Sequence, residues 1–144
     1  MMLARDIMIA PDTIDKNETL SNALDLMEKK QRRLLLVVSE GEPTGVITLR
    51  EIARVLGSRK KGSIPASRLR VSTAVNDKYS KILIDTGIKE IVALMKNLEA
   101  LAVYDKKIAG LITSKEILKA IHIDGFVGEI MSEPLIATRS DRVV

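Results

Sequence analysis

Apolar side chains recur at helical spacing in two stretches of the chain. In the first stretch they lie at i, i+3, i+4 and i+7, and the residues are Leu20, Ala23, Leu24 and Met27. Sixty-eight residues later the same spacing returns with Ile88, Ile91, Val92 and Met95. This spacing is typical of an amphipathic helix with one buried face. Thr19 stands at a suitable position to cap the first helix.

Each predicted helix is followed by two short apolar runs that a polar turn separates. The first pair is LLLVV at residues 34–38, then SEGEPT and GVIT, and the second pair is ALAVY at residues 100–104, then DKK and IAGLIT. Such pairs indicate β-hairpins, and the continuous runs favour strands that are buried on both faces.

Further elements complete the repeat. Short strands are expected before each helix, around Thr13 and Ile14 and around Leu83 and Ile84, and a second helical pattern follows each hairpin. The order strand, helix, strand, strand, helix therefore occurs twice. The segment DKNETL at residues 15–20 is matched with DTGI at residues 85–88, which is two residues shorter.

The two hairpins end on nearly the same phrase, GVITLREI from Gly45 and GLITSKEI from Gly110. We refer to these phrases as the closing motifs. Thr48 with Glu51, and Thr113 with Glu116, fit a capping box, in which Thr caps a helix and Glu reaches back to the N–H of the cap residue. Each glycine lies inside a predicted strand, where it weakens the strand unless another group approaches the backbone closely.

A third copy begins near the end of the sequence. VGEIMSEPLIAT at residues 127–138 resembles ARDIMIAPDTID at residues 4–15. We therefore expect residues 125–144 to start a third unit, and the chain to be part of a longer protein.

Composition limits the chemistry. The chain has no cysteine, one histidine (His122) and no run of 18 uncharged apolar residues. These features argue against disulfides, a zinc site, a thiol nucleophile, a signal peptide and a membrane span. A reducing, cytoplasmic setting is the simplest interpretation. Because no catalytic cluster or metal-ligand set is visible, we expect a protein that is not an enzyme and needs no cofactor.

The positive charge is concentrated in one segment. The net charge is +4, but residues 54–70 carry six basic residues and no acidic one. This basic segment is either a solvated connector, a contact for anions, or a nucleic-acid-binding surface. Aromatic residues make up 2% of the chain, which argues against a platform for stacking bases.

The closing motifs also suit nucleotide recognition. The start of a helix attracts phosphate through its free N–H groups and its dipole, and a nearby carboxylate can accept hydrogen bonds from a ribose diol. Basic side chains after each threonine would add phosphate contacts, and they are Arg50, Arg54, Lys115 and Lys119.

Order, spacing and duplication together resemble the CBS domain, the module named after cystathionine beta-synthase. The resemblance implies an α/β (α+β) fold in which each unit has the order β-α-β-β-α. It implies a tandem CBS pair, or Bateman module, with one unit at residues 3–62, a second at 63–124 and a truncated third at 125–144. The two units are expected to pack through their sheets about a pseudo-twofold axis.

The resemblance further implies a regulatory ligand-sensing module. In this family, clefts between paired units commonly bind AMP, ADP, ATP or S-adenosylmethionine. Carried onto this chain, the ligand-binding residues are Thr13, Ile14, Leu36, Thr48, Glu51, Leu83, Ile84, Ala102, Thr113 and Glu116. Both closing motifs have Glu where the family usually has Asp. The family also implies a homodimer and an effector domain or protein outside this chain. A module that serves only dimerisation is the other alternative to nucleotide sensing.

Overall fold

The computed structural model describes residues 2–58 and 64–124. These residues form two units of the same architecture. The first contains strand β1 (Thr13–Asp15), helix α2 (Leu20–Lys30), strands β2 (Leu34–Ser39) and β3 (Glu42–Thr48), and helix α3 (Leu49–Gly57). The second contains β4 (Tyr79–Leu83), α4 (Ile88–Leu94), β5 (Ala100–Asp105), β6 (Lys107–Ile112) and α5 (Ser114–Asp124). A short helix, α1 (Ala4–Ile7), precedes the first unit.

Each unit contains one three-stranded sheet, with the strand orders β1-β2-β3 and β4-β5-β6. The first two strands of each sheet are parallel and the last two form an antiparallel hairpin. The repeated order and the hairpins confirm the predicted fold class. A register shift occurs at Val37/Val38 in one hairpin and at Val103/Tyr104 in the other. The two hairpins therefore share an irregularity as well as an order.

The difference in length between the units does not lie where the sequence comparison placed it. The hydrogen bond from Glu18 N–H to Asp15 O recurs as Thr86 N–H to Leu83 O, so the offset stays at 68 residues from β1 to the start of α2. The predicted two-residue difference between residues 15–20 and 85–88 is wrong. The second unit is instead shortened after the start of its helix, where α4 is followed by the 3-10 turn Met95–Asn97. A 3-10 turn rises more per residue, so fewer residues cover the same length.

The segment that precedes each unit packs into the hydrophobic core of the other unit, so the units exchange these segments. Ala4, before the first unit, is fully buried in the core of the second unit, beside Ile91, Leu101 and Ile112. Conversely Val71, between the units, is fully buried in the core of the first unit. Isolated bridges fix both crossings, because Ile9 pairs with Leu111 and Asn76 pairs with Val46. Each hydrophobic core is therefore completed by a segment that does not lie within the unit it completes.

The two sheets pack against each other through a third apolar cluster, which we call the inter-unit cluster. Its buried members come from β2 and β3 on one side and from β5 and β6 on the other, and they are Leu34, Leu36, Val46, Ala100, Ala102 and Leu111. Burial of β2 between this cluster and its own helices explains its continuous apolar sequence. Packing of the units through their sheets is thus confirmed.

Candidate functional site

Gly45 and Gly110 lie where the exchanged segments cross the sheets. A Cβ atom added to Gly45 would collide with the backbone oxygen of Asn76 and would lie 2.7 Å from Cγ2 of Val75. At Gly110 it would lie 2.7 Å from Cγ and 2.8 Å from Cβ of Met8. The close approach that the glycines predicted is present. The chain's own segments make this approach, so the glycines are explained without a ligand.

The closing motif of the first unit caps α3 with its threonine. Thr48 Oγ1 accepts a hydrogen bond of 3.1 Å from the N–H of Glu51. The Glu51 carboxylate does not reach back to the cap and instead binds Arg54, at 3.0 Å from Nε and 3.1 Å from Nη2. Only the threonine half of the predicted capping box is therefore formed in this unit.

The closing motif of the second unit forms the other half of the box. The N–H of Thr113 donates to Glu116 Oε1 at 2.8 Å, and the Thr113 hydroxyl donates to the same oxygen at 2.5 Å. The N–H of Glu116 bonds to the carbonyl of Thr113 rather than to its side chain. The two hydroxyls therefore act in opposite senses, because Thr48 accepts within its motif whereas Thr113 donates.

The two carboxylates also differ in exposure. Glu116 retains 7% of its accessible surface, while the side chain of Glu51 retains 22%. The hydrogen bonds from Arg54 hold the pKa of the Glu51 carboxyl below its ordinary value, outweighing desolvation, which acts in the opposite direction. Arg50 and Lys78 lower the pKa of Glu51 further. Glu51 is consequently ionised at neutral pH and accepts hydrogen bonds without donating any.

Groups of the second unit, and of the segment that leads into it, lie beside the first closing motif. Asn76 exchanges backbone hydrogen bonds of 2.8 and 2.9 Å with Val46, two residues before Thr48. Arg50 Nη2 is 3.0 Å from Glu99 Oε2, which precedes β5. Thr48, Glu51 and Arg50 therefore stand at a junction between the units. We call this junction the first cleft.

The corresponding place beside Thr113, the second cleft, is built differently. Ile9 exchanges two backbone hydrogen bonds of 2.9 Å with Leu111, two residues before Thr113. Lys115 lies two residues after Thr113, as Arg50 does after Thr48, and Arg33 directly precedes β2, as Glu99 directly precedes β5. The positions that match Arg50 and Glu99 are therefore Lys115 and Arg33, and both are cationic. The ion pair that spans the first cleft therefore cannot form in the second.

The other predicted ligand residues are dispersed. Leu36 and Ala102 are fully buried in the inter-unit cluster. Thr13 and Ile14 line a groove of about 440 Å³ beside α2, and none of the described residues that line it belongs to the second unit or to a closing motif. Leu83 is 61% exposed, and Ile84 packs in the second core.

The strand register corrects the predicted correspondence between the two opening strands. It pairs Thr13 with Leu36 and Lys81 with Ala102, so the counterparts of Thr13 and Ile14 are Lys81 and Ile82 rather than Leu83 and Ile84.

Two of the predicted phosphate contacts form ion pairs and two are exposed, and one end of the basic segment is held against the first unit. Arg54 pairs with Glu51, Arg50 pairs with Glu99, and Lys115 and Lys119 are exposed on α5. At the other end of the segment, Arg70 donates to the backbone oxygen of Asn17 at 2.8 Å. Leu69 packs against the first core, as does Val71 directly after the segment, so this end of the segment is anchored to the first unit while Arg68 and Arg70 stay exposed. Arg59, Lys60 and Lys61, like the predicted third unit at residues 125–144, lie outside the described residues.

Sequence comparison decides the family. The sequence profile of the CBS domain matches residues 4–58 and 71–123, which together are most of the chain. The chain belongs to the CBS domain family. Its two CBS units are the two structural repeats, and the matched ranges exclude most of the connector between them. A comparison with curated proteins finds no match.

Solved structures of CBS proteins share this fold. A protein described as the acetoin utilization protein AcuB from Vibrio cholerae is 24% identical, with a TM-score of 0.71 over 93% of this chain and 99% of that one. A protein from Burkholderia ambifaria MC40-6, described as a signal-transduction protein with CBS domains, is 28% identical, with a TM-score of 0.67 over 82% of this chain and 86% of that one. The CBS domain pair of protein MJ0100, in complex with 5′-methylthioadenosine and S-adenosyl-L-methionine, is 21% identical, with a TM-score of 0.71 over 85% and 97%.

The described part of the chain offers neither a metal site nor a membrane span. Within residues 2–58 and 64–124, no three His, Asp or Glu side chains are grouped so that they would hold a metal ion. Over the same residues, every helix is too short or too polar to cross a lipid bilayer.

Proposed function

We propose that this chain is a regulatory module that binds an adenosyl compound between its two CBS units. Membership of the family supports a regulatory role, and the complex of the related MJ0100 pair with two adenosyl compounds supports the ligand class. The observation that carries the proposal is the first cleft, where an ionised carboxylate, a threonine hydroxyl and two arginines lie at the junction of the units.

The chemistry of these groups fits an adenosine carrying phosphate. A ribose diol presents two hydroxyl donors, and Glu51 is an acceptor with lone pairs beyond those that Arg54 occupies. Phosphate oxygens need donors, which the Thr48 hydroxyl and the guanidinium groups of Arg50 and Arg54 provide. The first N–H of α3, that of Leu49, already donates to Arg33 O at 2.9 Å. Phosphate recognition therefore relies on side chains more than on the helix terminus.

Binding at this junction would couple to the arrangement of the units. A ligand shifts a conformational equilibrium only by the difference in its affinity for the two states. A phosphate that binds Arg50 competes with Glu99 of the second unit for the same guanidinium group. We propose AMP, ADP, ATP and S-adenosylmethionine as the candidate ligands. We also propose that the protein forms a homodimer, regulates an effector outside this chain and is located in the cytoplasm.

Isothermal titration calorimetry of the purified chain with these four compounds tests the proposed function. We expect one or more of them to bind with a Kd below about 0.1 mM and to raise the Tm. A folded protein that binds none of them would contradict the proposal. A parallel titration with duplex DNA at two salt concentrations tests nucleic-acid binding, for which a steep salt dependence is the signature.

A further inference from the structure

The two closing motifs have nearly the same sequence but different hydrogen bonds, and the difference concerns the groups that would touch a ligand. In the first unit Glu51 is directed away from the helix cap and remains partly exposed. In the second unit Glu116 is buried and satisfies both donors of Thr113. Glu116 therefore accepts the hydrogen bonds of its own cap residue, whereas in the first unit Thr48 makes the cap bond and Glu51 makes none.

We infer that the pair is functionally asymmetric: one adenosyl ligand binds per chain, at Thr48 and Glu51, while Thr113 and Glu116 form a structural cap. This inference rests on the proposed function and specifies which cleft performs it.

The threonine hydroxyls supply the first argument. A hydroxyl has one proton to donate. Thr48 uses its oxygen to accept from the N–H of Glu51, so its proton remains for a phosphate or ribose oxygen. Thr113 has already donated its proton to Glu116. Because phosphate oxygens are acceptors, only the hydroxyl of the first motif can bind one without breaking a bond inside the protein.

The carboxylates supply the second argument. For Glu116 to accept hydrogen bonds from a ribose through Oε1, the N–H or the hydroxyl of Thr113 would lose its acceptor. Leaving a part-buried donor unsatisfied costs about 1–3 kcal/mol, which a ligand at the second motif would have to offset. Glu51 makes no bond to its cap, and Arg54 occupies only one lone pair on each of its oxygens. A ligand at the first motif bears no such cost.

One residue difference accounts for the asymmetry. Arg54 lies three residues after Glu51, and the corresponding residue after Glu116 is Lys119. A guanidinium group presents two parallel N–H donors that match both carboxylate oxygens, while an ammonium group is a single point of charge. Arg54 can hold Glu51 away from its cap by this bidentate contact, whereas Glu116 pairs with the backbone of its own cap.

The test compares Glu51→Gln with Glu116→Gln, using AMP and 5′-methylthioadenosine as probes in calorimetry. Glutamine keeps an acceptor oxygen for Thr113, so both variants should fold, which their Tm values check. We expect the wild type to bind one equivalent per chain, Glu51→Gln to weaken binding at least tenfold, and Glu116→Gln to change the Kd less than twofold.

Other outcomes are distinguishable. Two equivalents per chain, or a loss of affinity in Glu116→Gln equal to that in Glu51→Gln, would overturn the asymmetry while leaving the proposed function intact. A folded wild type that binds neither these probes nor ADP, ATP or S-adenosylmethionine would overturn the proposed function, and the asymmetry with it. Thr48→Val and Thr113→Val give a second comparison if either glutamine variant is unstable, because the inference requires only Thr48→Val to weaken binding of AMP.

Discussion

Gly45 lies against the backbone oxygen of Asn76 so closely that a side chain at position 45 would occupy the same space. This contact joins β3 of the first unit to the segment that leads into the second unit, and two backbone hydrogen bonds between Val46 and Asn76 fix it. The glycine of the first closing motif is therefore required by the exchange of segments between the units.

We predict that Gly45→Ala lowers the free energy of unfolding by about 1–3 kcal/mol, because backbone atoms rather than a flexible side chain must shift. Gly57→Ala is the matched control, since a Cβ atom at that helical position meets nothing within 4 Å. The control should leave stability unchanged or raise it by up to about 1 kcal/mol. Chemical denaturation measures both. Equal stability of the two variants would contradict the close approach at Gly45.

The two tyrosines between the units should respond differently to loss of their hydroxyl groups. The Tyr79 hydroxyl donates to Pro43 O at 3.2 Å across the interface, whereas the buried Tyr104 hydroxyl has no hydrogen-bond partner among the described residues. Burial raises the pKa of Tyr104, with contributions from Glu42 and Tyr79, so this phenol stays neutral at physiological pH.

Tyr79→Phe should therefore destabilise the chain by about 0.5–1.5 kcal/mol, the usual net value of one hydrogen bond. Tyr104→Phe should be neutral or stabilising, because it removes a buried polar atom that has no partner. Thermal unfolding of the two variants side by side is sufficient. A larger loss in Tyr104→Phe than in Tyr79→Phe would show that the hydroxyl of Tyr104 has a partner in solution.

The contact between Arg54 and Glu51 should be visible in acid titration. Because the pKa of Glu51 is lowered in the folded state, the contact stabilises the protein above the ordinary carboxyl pKa. That stabilisation is lost as the pH falls through the lower, folded pKa. Replacing Arg54 with Met should return the pKa of Glu51 toward its ordinary value, as ¹³C NMR of the carboxyl carbon can measure. An unchanged pKa in Arg54→Met would mean that the two side chains do not pair.

The ion pair between Arg50 and Glu99 should oppose phosphate binding. Both side chains reach solvent, so the pair itself contributes little to stability, on the order of 0–1 kcal/mol. Removing the Glu99 carboxylate should leave the Arg50 guanidinium group available to a phosphate. We expect Glu99→Gln to tighten AMP binding by up to about fivefold at low salt, a factor equivalent to that energy. Binding of 5′-methylthioadenosine, which has no phosphate, should not change.

Glu90→Gln is a suitable control for this effect, because it removes the same charge from an exposed position on α4. The competition between phosphate and Glu99 would be refuted if Glu99→Gln and Glu90→Gln affected AMP equally, or if Glu99→Gln also strengthened binding of 5′-methylthioadenosine.

Much of the fold follows from local patterns. The spacing of Leu20 and Met27, with Thr19 before them, predicted α2 and its cap, and the cap bond from Asn22 N–H to Thr19 is 3.1 Å long. The continuous run from Leu34 predicted a strand buried on both faces, which the inter-unit cluster explains. Local periodicity was sufficient in these places because each element buries one defined face.

The exchange of segments was not predicted. The burial of Ala4 in the second unit depends on residues that lie between Ile82 and Ile117 in the sequence, and local periodicity carries no information about such distant contacts. The glycines did indicate a close approach, but not which segment makes it. The different bonds of Glu51 and Glu116 also escaped the sequence analysis. The available signal was Arg54, because its counterpart Lys119 cannot make the same bidentate contact.

Mapping backbone amide chemical shifts during a titration with AMP tests the central claim most directly, because it locates the ligand without altering the protein. The structure predicts the largest changes at Thr48–Glu51 and at Asn76–Lys78, with small changes at Thr113–Glu116. Changes concentrated at Thr113–Glu116 or in the groove beside α2, or a folded protein with no change at all, would contradict ligand binding at the first cleft.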